Sequence, residues 1–254
     1  GVYNLSENEI IIQGTNVEAI VAGTSTAYGI YNMKAMSASA NTIKTTSTSY
    51  NAYGIYNEKD ATCIMNANNI IITHTKQAQY NGYGIYNVGQ LTTENDTIES
   101  NDYYTPYGIY NEKTGNILIK DITLKANRTN TSLKYNAYGI YNNGVSNIKK
   151  GNIQAISTNG ISYGIYNSTT GTLVIGENNI EEPSKTDPMI SGNTFGIYNL
   201  GDFQFYDGRI EGEENNSIYG AMSSWTLNYN VSKYQNETSE KYDVDPGREI
   251  TVLE

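Results

Sequence analysis

Few side chains in this sequence have the chemistry to carry a reaction. The chain has a single histidine, His74, and a single cysteine, Cys63. Its three arginines, Arg128, Arg209 and Arg248, lie far apart. General acid–base catalysis needs two titratable groups in one pocket, and the spacing assembles no such pair. His74 falls in the loop of a long repeat unit, where it reads as a solvated side chain, and the arginines fall on different rows of the repeat. One cysteine makes no internal disulfide and supports no cysteine-based metal cluster. Cys63 stands at an apolar position and reads as a small core residue. Enzymatic activity and cofactors are therefore not expected. One acidic group has the composition of a cation site. Stacked repeats would set Glu177 beside Asp207 and Glu181 beside Glu211, and calcium favours several hard oxygen ligands. The plainer reading of the same group is an acidic, solvated surface.

The abundant chemistry is aromatic. The chain carries 24 tyrosines. One set, Tyr56, Tyr86, Tyr110 and Tyr141 among them, recurs two residues after a glycine. A second set, Tyr50, Tyr80, Tyr104 and Tyr135, recurs four residues before one. The positions between are small: Ala52, Gly82, Pro106 and Ala137, then Gly54, Gly84, Gly108 and Gly139. On extended backbone this pattern describes a shallow trough with tyrosine walls. Tyrosine offers flat apolar area and a hydroxyl, which suits sugar rings and protein partners. The structural alternative is that the rings only stiffen the sheet, since stacked neighbours gain from offset contact.

These tyrosines are positioned by a repeat. The pentapeptide Tyr28-Gly29-Ile30-Tyr31-Asn32 restarts at Tyr53, Tyr83, Tyr107, Tyr138 and Tyr163, with relatives at Gly1-Val2-Tyr3-Asn4, at Phe195 and, worn, at Tyr219-Gly220-Ala221-Met222. Successive glycines are 28, 25, 30, 24, 31, 25, 32 and 24 residues apart, so long and short units alternate. Units of this size fit single turns of a solenoid. Each unit also carries two alternating apolar or small residues and, five further on, an aliphatic. Examples are Met36, Ala38 and Ile43, then Cys63, Met65 and Ile70, then Ile117, Ile119 and Leu124; the seventh unit reads Leu173, Ile175 and Ile180.

An apolar spacing of two argues strand rather than helix. Tyr, Ile, Thr and Val suit pleated backbone, and the recurrent Asn and Gly suit turns. The unit is expected to be a coil of three short strands, each pairing in parallel with its equivalent in the next coil, so that the core is a column. The aliphatic after each glycine, from Val2 and Ile30 to Ile197 and Ala221, is expected to point inward. Strict alternation then puts the first tyrosine inward or at the wall, and the glycine and second tyrosine outward. The closing asparagines, Asn32, Asn57, Asn87, Asn111, Asn142, Asn167 and Asn199, are expected to turn the chain and to form an amide ladder.

A formal charge of −10 argues against nucleic acid and against an anionic membrane surface. No apolar run approaches the roughly 18 residues of a membrane span, and no signal peptide is present. Gly1 falls inside the repeat, which suggests a longer chain with flanking domains. The repeat decays after residue 225, and 226–254 is expected to be an irregular cap over the last coil, or a linker.

Coil size, asparagine row and aliphatic stack together resemble the right-handed parallel β-helix of the pectin-lyase-like superfamily. The Tyr-Gly-Ile-Tyr-Asn form resembles repeat regions of large bacterial surface proteins. The likeness covers residues 1 to about 225 and implies an all-β solenoid of about nine coils. It implies an extracellular, cell-surface setting and a rigid stalk or adhesin, with a glycan or a host or bacterial surface protein as ligand. It also implies two alternatives, a polysaccharide lyase or hydrolase and a phage tailspike. The sequence lacks the Asn-Thr-Asp and Gly-His-Gly signatures and the basic residues such sites use. An ice-binding face would need Thr arrays in register, and Thr45-Thr46-Ser47-Thr48-Ser49 is confined to one coil.

Overall fold

The computed structural model describes residues 1–75, 80–130, 132, 134–177, 187–206, 208–213 and 216–220, and the backbone of 232–236 and 239–244. It is an all-β parallel solenoid with three sheets. The tyrosine sheet stacks nine strands: Val2–Asn4, Ala27–Asn32, Ala52–Asn57, Gly82–Asn87, Pro106–Asn111, Ala137–Asn142, Ser162–Asn167, Phe195–Asn199 and Ile218–Gly220. The second sheet stacks eight, Ile10–Gln13, Ala35–Ser39, Thr62–Asn66, Gln90–Glu94, Asn116–Ile119, Val145–Ile148, Thr172–Ile175 and Asp202–Phe205. The third runs Asn16–Val21, Thr42–Ser47, Asn69–His74, Asp96–Asp102, Ile122–Arg128, Asn152–Ile156, Met189–Gly192 and Gly208–Glu211. One strand from each sheet makes a coil, so the described residues hold eight complete coils and the opening strand of a ninth. The last strand of the third sheet is continued by an antiparallel hairpin, Ser239–Val244 and Ser232–Asn236. The rest of 226–254, and the boundary at 225, lie outside the described residues.

The core is the column the repeat implies. Ile30, Ile55, Ile85, Ile109, Ile140, Ile165 and Ile197 are all fully buried and successive members are register partners. Met36, Cys63, Leu91 and Ile117 make a second row. Where that row turns polar, the hydroxyl is satisfied internally. Ser146 donates to Asn142 Oδ1 at 2.8 Å, and Thr93, in the row beside it, donates to Asp96 Oδ2 at 2.6 Å. An unpaired hydroxyl in the column would instead cost about 1–3 kcal/mol.

Three details of the repeat differ from its sequence reading. First, alternation breaks at the glycine. Ladder pairs run from Tyr53↔Tyr83 directly to Ile55↔Ile85 and omit the glycines, as at a bulge. A Cβ on Gly84 would lie 2.4 Å from Ile98 Cγ2 and 2.4 Å from the Gly108 carbonyl oxygen. Glycine and isoleucine therefore both face inward, and only glycine fits against the third sheet. The phase flip puts both tyrosines of each motif outside and the asparagine inside. Second, the seventh coil fills its third-sheet row with Ile190, which pairs with Ile153 and Ile210. Ile180 lies outside the described residues, so the five-residue step is not kept there. Third, the worn final motif is shifted. Ile218 pairs with Ile197, Tyr219 with Tyr198 and Gly220 with Asn199, so Ile218, not Ala221, continues the aliphatic row.

The corner after the tyrosine sheet carries the expected amide ladder, which also takes in Asn4. Each Nδ2 donates to the next Oδ1, from Asn4→Asn32 at 2.7 Å through Asn87→Asn111 at 2.9 Å to Asn167→Asn199 at 2.8 Å. The same amides also donate to turn carbonyls of their own or the neighbouring coil, as Asn111 does to Val145. A shorter ladder, Asn41→Asn68→Asp96, holds the corner between second and third sheets. There Ala40, Ala67 and Asn95 take positive φ to make the turn.

Candidate functional site

Because the bulge sends both tyrosines outward, the first sheet presents two tyrosine rows. In one, Tyr28, Tyr53, Tyr83, Tyr107, Tyr138 and Tyr163 stack at centroid distances such as 5.1 Å for Tyr28–Tyr53 and 4.8 Å for Tyr53–Tyr83. In the other, Tyr31–Tyr56 and Tyr56–Tyr86 are both 5.0 Å apart with planes within 1° and 5°. Between rows the rings meet edge to face, as Tyr53–Tyr56 at 5.3 Å and 84°. Offset stacking within a row and edge contact across rows are the two favourable aromatic geometries. Each internal ring thus spends its faces on its neighbours. Only the last rings of the second row stand open, Tyr3 at 60% and Tyr219 at 50% exposure. Along the rest of the face, solvent meets ring edges and hydroxyl tips.

The hydroxyls have defined partners. Tyr31 donates to Glu58 Oε1 at 2.5 Å, and Tyr86 donates to Glu112. Asn143 donates to the Tyr110 oxygen at 3.2 Å. In the other row Asn51, Asn81 and Asn136 donate to Tyr53, Tyr83 and Tyr138. Burial, then the nearby Glu58 charge, pushes the Tyr56 phenol up to about 12. Burial and neighbouring phenols push Tyr141 to about 12. Tyr31 and Tyr86 are raised further, first by burial and then by donating to a carboxylate. These phenols are neutral hydrogen-bonding groups at ordinary pH, not nucleophiles or bases.

The trough predicted from sequence changes shape accordingly. Its glycine floor is inside the solenoid, and Tyr53, Tyr83, Tyr107 and Tyr138 occupy the ground between the walls. The second wall lies on the connector from third sheet to tyrosine sheet. It forms two pairs, Tyr50–Tyr80 at 4.5 Å and Tyr104–Tyr135 at 3.7 Å. Alongside Tyr56, Tyr86, Tyr110 and Tyr141, all four are partly exposed.

Beneath that connector lies a polar cluster that the sequence reading missed. His74 ends a third-sheet strand and is 1% exposed, so it is not a solvated loop residue. Its Nδ1 is 3.0 Å from Asp102 Oδ1, and both side chains are closed to solvent. Asp102 also accepts from the backbone N–H groups of Tyr104, at 2.6 Å, and Gly82. Arg128, 2% exposed, is the next member of the row, and its guanidinium carbon is 5.7 Å from the Tyr135 ring centroid. The available signal was positional. Ser47, His74, Asp102 and Arg128 each follow a core aliphatic, Ile43, Ile70, Ile98 or Leu124, by four residues. Four residues along a strand is the same face, so all four had to point inward.

Only part of the acidic group falls among the described residues. Asp207 and Glu181 lie outside the described residues. Ser191, not Glu181, stands opposite Glu211. Glu177 pairs with Lys149 at 2.8 Å and Glu211 with Arg209 at 2.7 Å. Among the described residues no three His, Cys, Asp or Glu side chains gather as a metal site. Cys63 is buried in the core row, and burial pushes its thiol well up, away from the reactive thiolate. No protein-family model, curated protein or solved structure matches this chain.

Proposed function

We propose that this chain is a non-enzymatic, rigid stalk and display module of an extracellular bacterial surface protein, flanked by further domains, which offers its tyrosine face to a glycan or to a host or bacterial surface protein. One observation carries the reading: ring rows and amide ladder keep the same register from the first coil to the eighth. Such stacking gives the rod stiffness and repeats one set of hydroxyls and carboxylates along it. Recognition would use hydroxyl tips, ring edges and the carboxylates of Glu58 and Glu112, because the ring faces are occupied. Tyr56, Tyr86, Tyr110 and Tyr141, with the flanking pairs Tyr50–Tyr80 and Tyr104–Tyr135, are the proposed contact residues. The pair His74–Asp102 supports no catalytic reading, since both side chains are closed to solvent.

The test is a glycan array and a surface-protein binding screen on the intact chain and on Tyr80→Ala with Tyr104→Ala. Loss of signal with an unchanged circular-dichroism spectrum supports the face. A signal that survives the double substitution contradicts it.

A further inference from the structure

The outer face of the second sheet carries a pattern with a period of two coils. Its central outward position is aliphatic in coils one, three, five and seven: Ile11, Ile64, Leu118 and Val174. In the coils between it is polar: Ser37, Thr92, Asn147 and Gln204. Register pairs fix all eight in a single line up the rod. Ile11 is 73% exposed and Ile64 49%. Isolated surface aliphatics need no explanation. A strict alternation over eight rungs does, and it runs in step with the turn before each strand, which has five or four residues in the aliphatic coils and two in the polar ones.

We propose that this face pairs with the same face of a second copy, rods antiparallel, about a two-fold axis between coils four and five. A two-fold in the interface plane and across the rods sets coil four on the partner's coil five and coil three on its coil six. Thr92 then meets Leu118 of the partner copy, and Ile64 meets Asn147 of the partner copy. Every protruding aliphatic falls against a smaller polar residue. Charge supports the same arrangement. Glu94 and Lys120, bridged at 3.2 Å on adjacent coils of one chain, sit one on each side of that axis. Glu94 therefore faces the partner's Lys120 and the reverse, which closes a four-member ring of alternating charge. The parallel arrangement sets aliphatic on aliphatic and turns Glu94 toward the uncharged Gln90 of the partner copy, in a row whose charged member among these register partners is Asp202. Eight rungs at about 4.8 Å, with strands about 14 Å wide, bury roughly 1,000–1,200 Å² in total, the low end for a specific interface. The pair should be reversible, and it leaves both tyrosine faces free.

Sedimentation velocity on the intact chain over a range of concentration should show a monomer–dimer equilibrium in the micromolar range. Ile64→Lys with Leu118→Lys, both outward, should weaken it at least about tenfold with unchanged thermal melting. Glu94→Lys should weaken it, and Glu94→Lys with Lys120→Glu should restore it. Oxidising an equimolar mixture of Ile64→Cys and Asn147→Cys chains should give a covalent heterodimer, because these coils are too far apart to bridge within one chain. A monomer at every concentration, self-association indifferent to the two lysines, or cross-linking of Ile64→Cys chains only to each other would overturn the proposal.

Discussion

Two corners of the solenoid obey different rules. The corner after the tyrosine sheet repeats its amide ladder from coil to coil, with amide-to-amide distances from 2.7 to 2.9 Å, and after the first coil its turn alternates regularly between two and four residues. The connector from third sheet back to tyrosine sheet changes its length from each coil to the next. It has five residues after Val21, three after Asp102, eight after Arg128 and two after Gly192. An amide ladder tolerates no change in height, because each asparagine serves two neighbours. A connector without such a ladder tolerates insertion, since loop closure costs little per added residue. Register is therefore held at one corner and variation is stored at the other. The variable corner carries Tyr50, Tyr80, Tyr104 and Tyr135, which is where a surface protein gains by variation.

The contrast can be broken most severely at the ladder. Asn111→Ala removes the acceptor of Asn87 and the donor to Asn142 and Val145, leaving several buried groups unpaired at about 1–3 kcal/mol each. A loss of about 4–6 kcal/mol is expected in urea unfolding. At the variable corner His74→Leu should cost less, about 2–3 kcal/mol, because Asp102 keeps two backbone donors. A loss as large as that of Asn111→Ala would erase the distinction between the corners.

The tyrosine rows give a smaller effect, confined to alkaline pH. Folded phenols such as Tyr56 and Tyr141 are raised from 10.0 to about 12. A group raised on folding contributes stability that is complete below its unfolded value and lost as pH rises through its folded one. Stability set by these rings should hold to about pH 10 and fall toward pH 12, with phenolate absorbance following unfolding. Phenolate appearing at pH 10 in folded protein would contradict the packing. The smallest effect sharpens the contrast. Gly-Ser inserted between Gly23 and Thr24 should cost under about 0.5 kcal/mol. The same insertion between Lys113 and Thr114, beside the ladder, should be several times worse.

Much of this was readable from the sequence because the repeat aligns itself. The rows through Ile30, through Met36 and through Asn32 follow from spacing alone. What spacing could not show was where the pleat breaks. Counting by two from Ile30 sends Tyr28 inward and Gly29 outward, and only the crowding of Gly84 against Ile98 and Gly108 reveals that two adjacent residues face in. Ile190 was hidden because the seventh coil lengthens between second and third sheets, where the other coils keep a fixed step. His74 was misread for its chemistry: a polar residue suggested a loop, although its offset from Ile70 placed it inside. The contact residues on the tyrosine face were legible as a pattern, but the herringbone that occupies their ring faces required the phase flip.

The central claim is that the coils stack in one rigid register, and a distance along the rod tests it most directly. Glu18 and Gln154 lie on one outward row, five coil steps apart. Spin labels at Glu18→Cys and Gln154→Cys in a Cys63→Ala background should give a single narrow pulsed-EPR distance near 24 Å, five steps of about 4.8 Å. A broad distribution, or a mean beyond about 35 Å, would contradict the stacked rod.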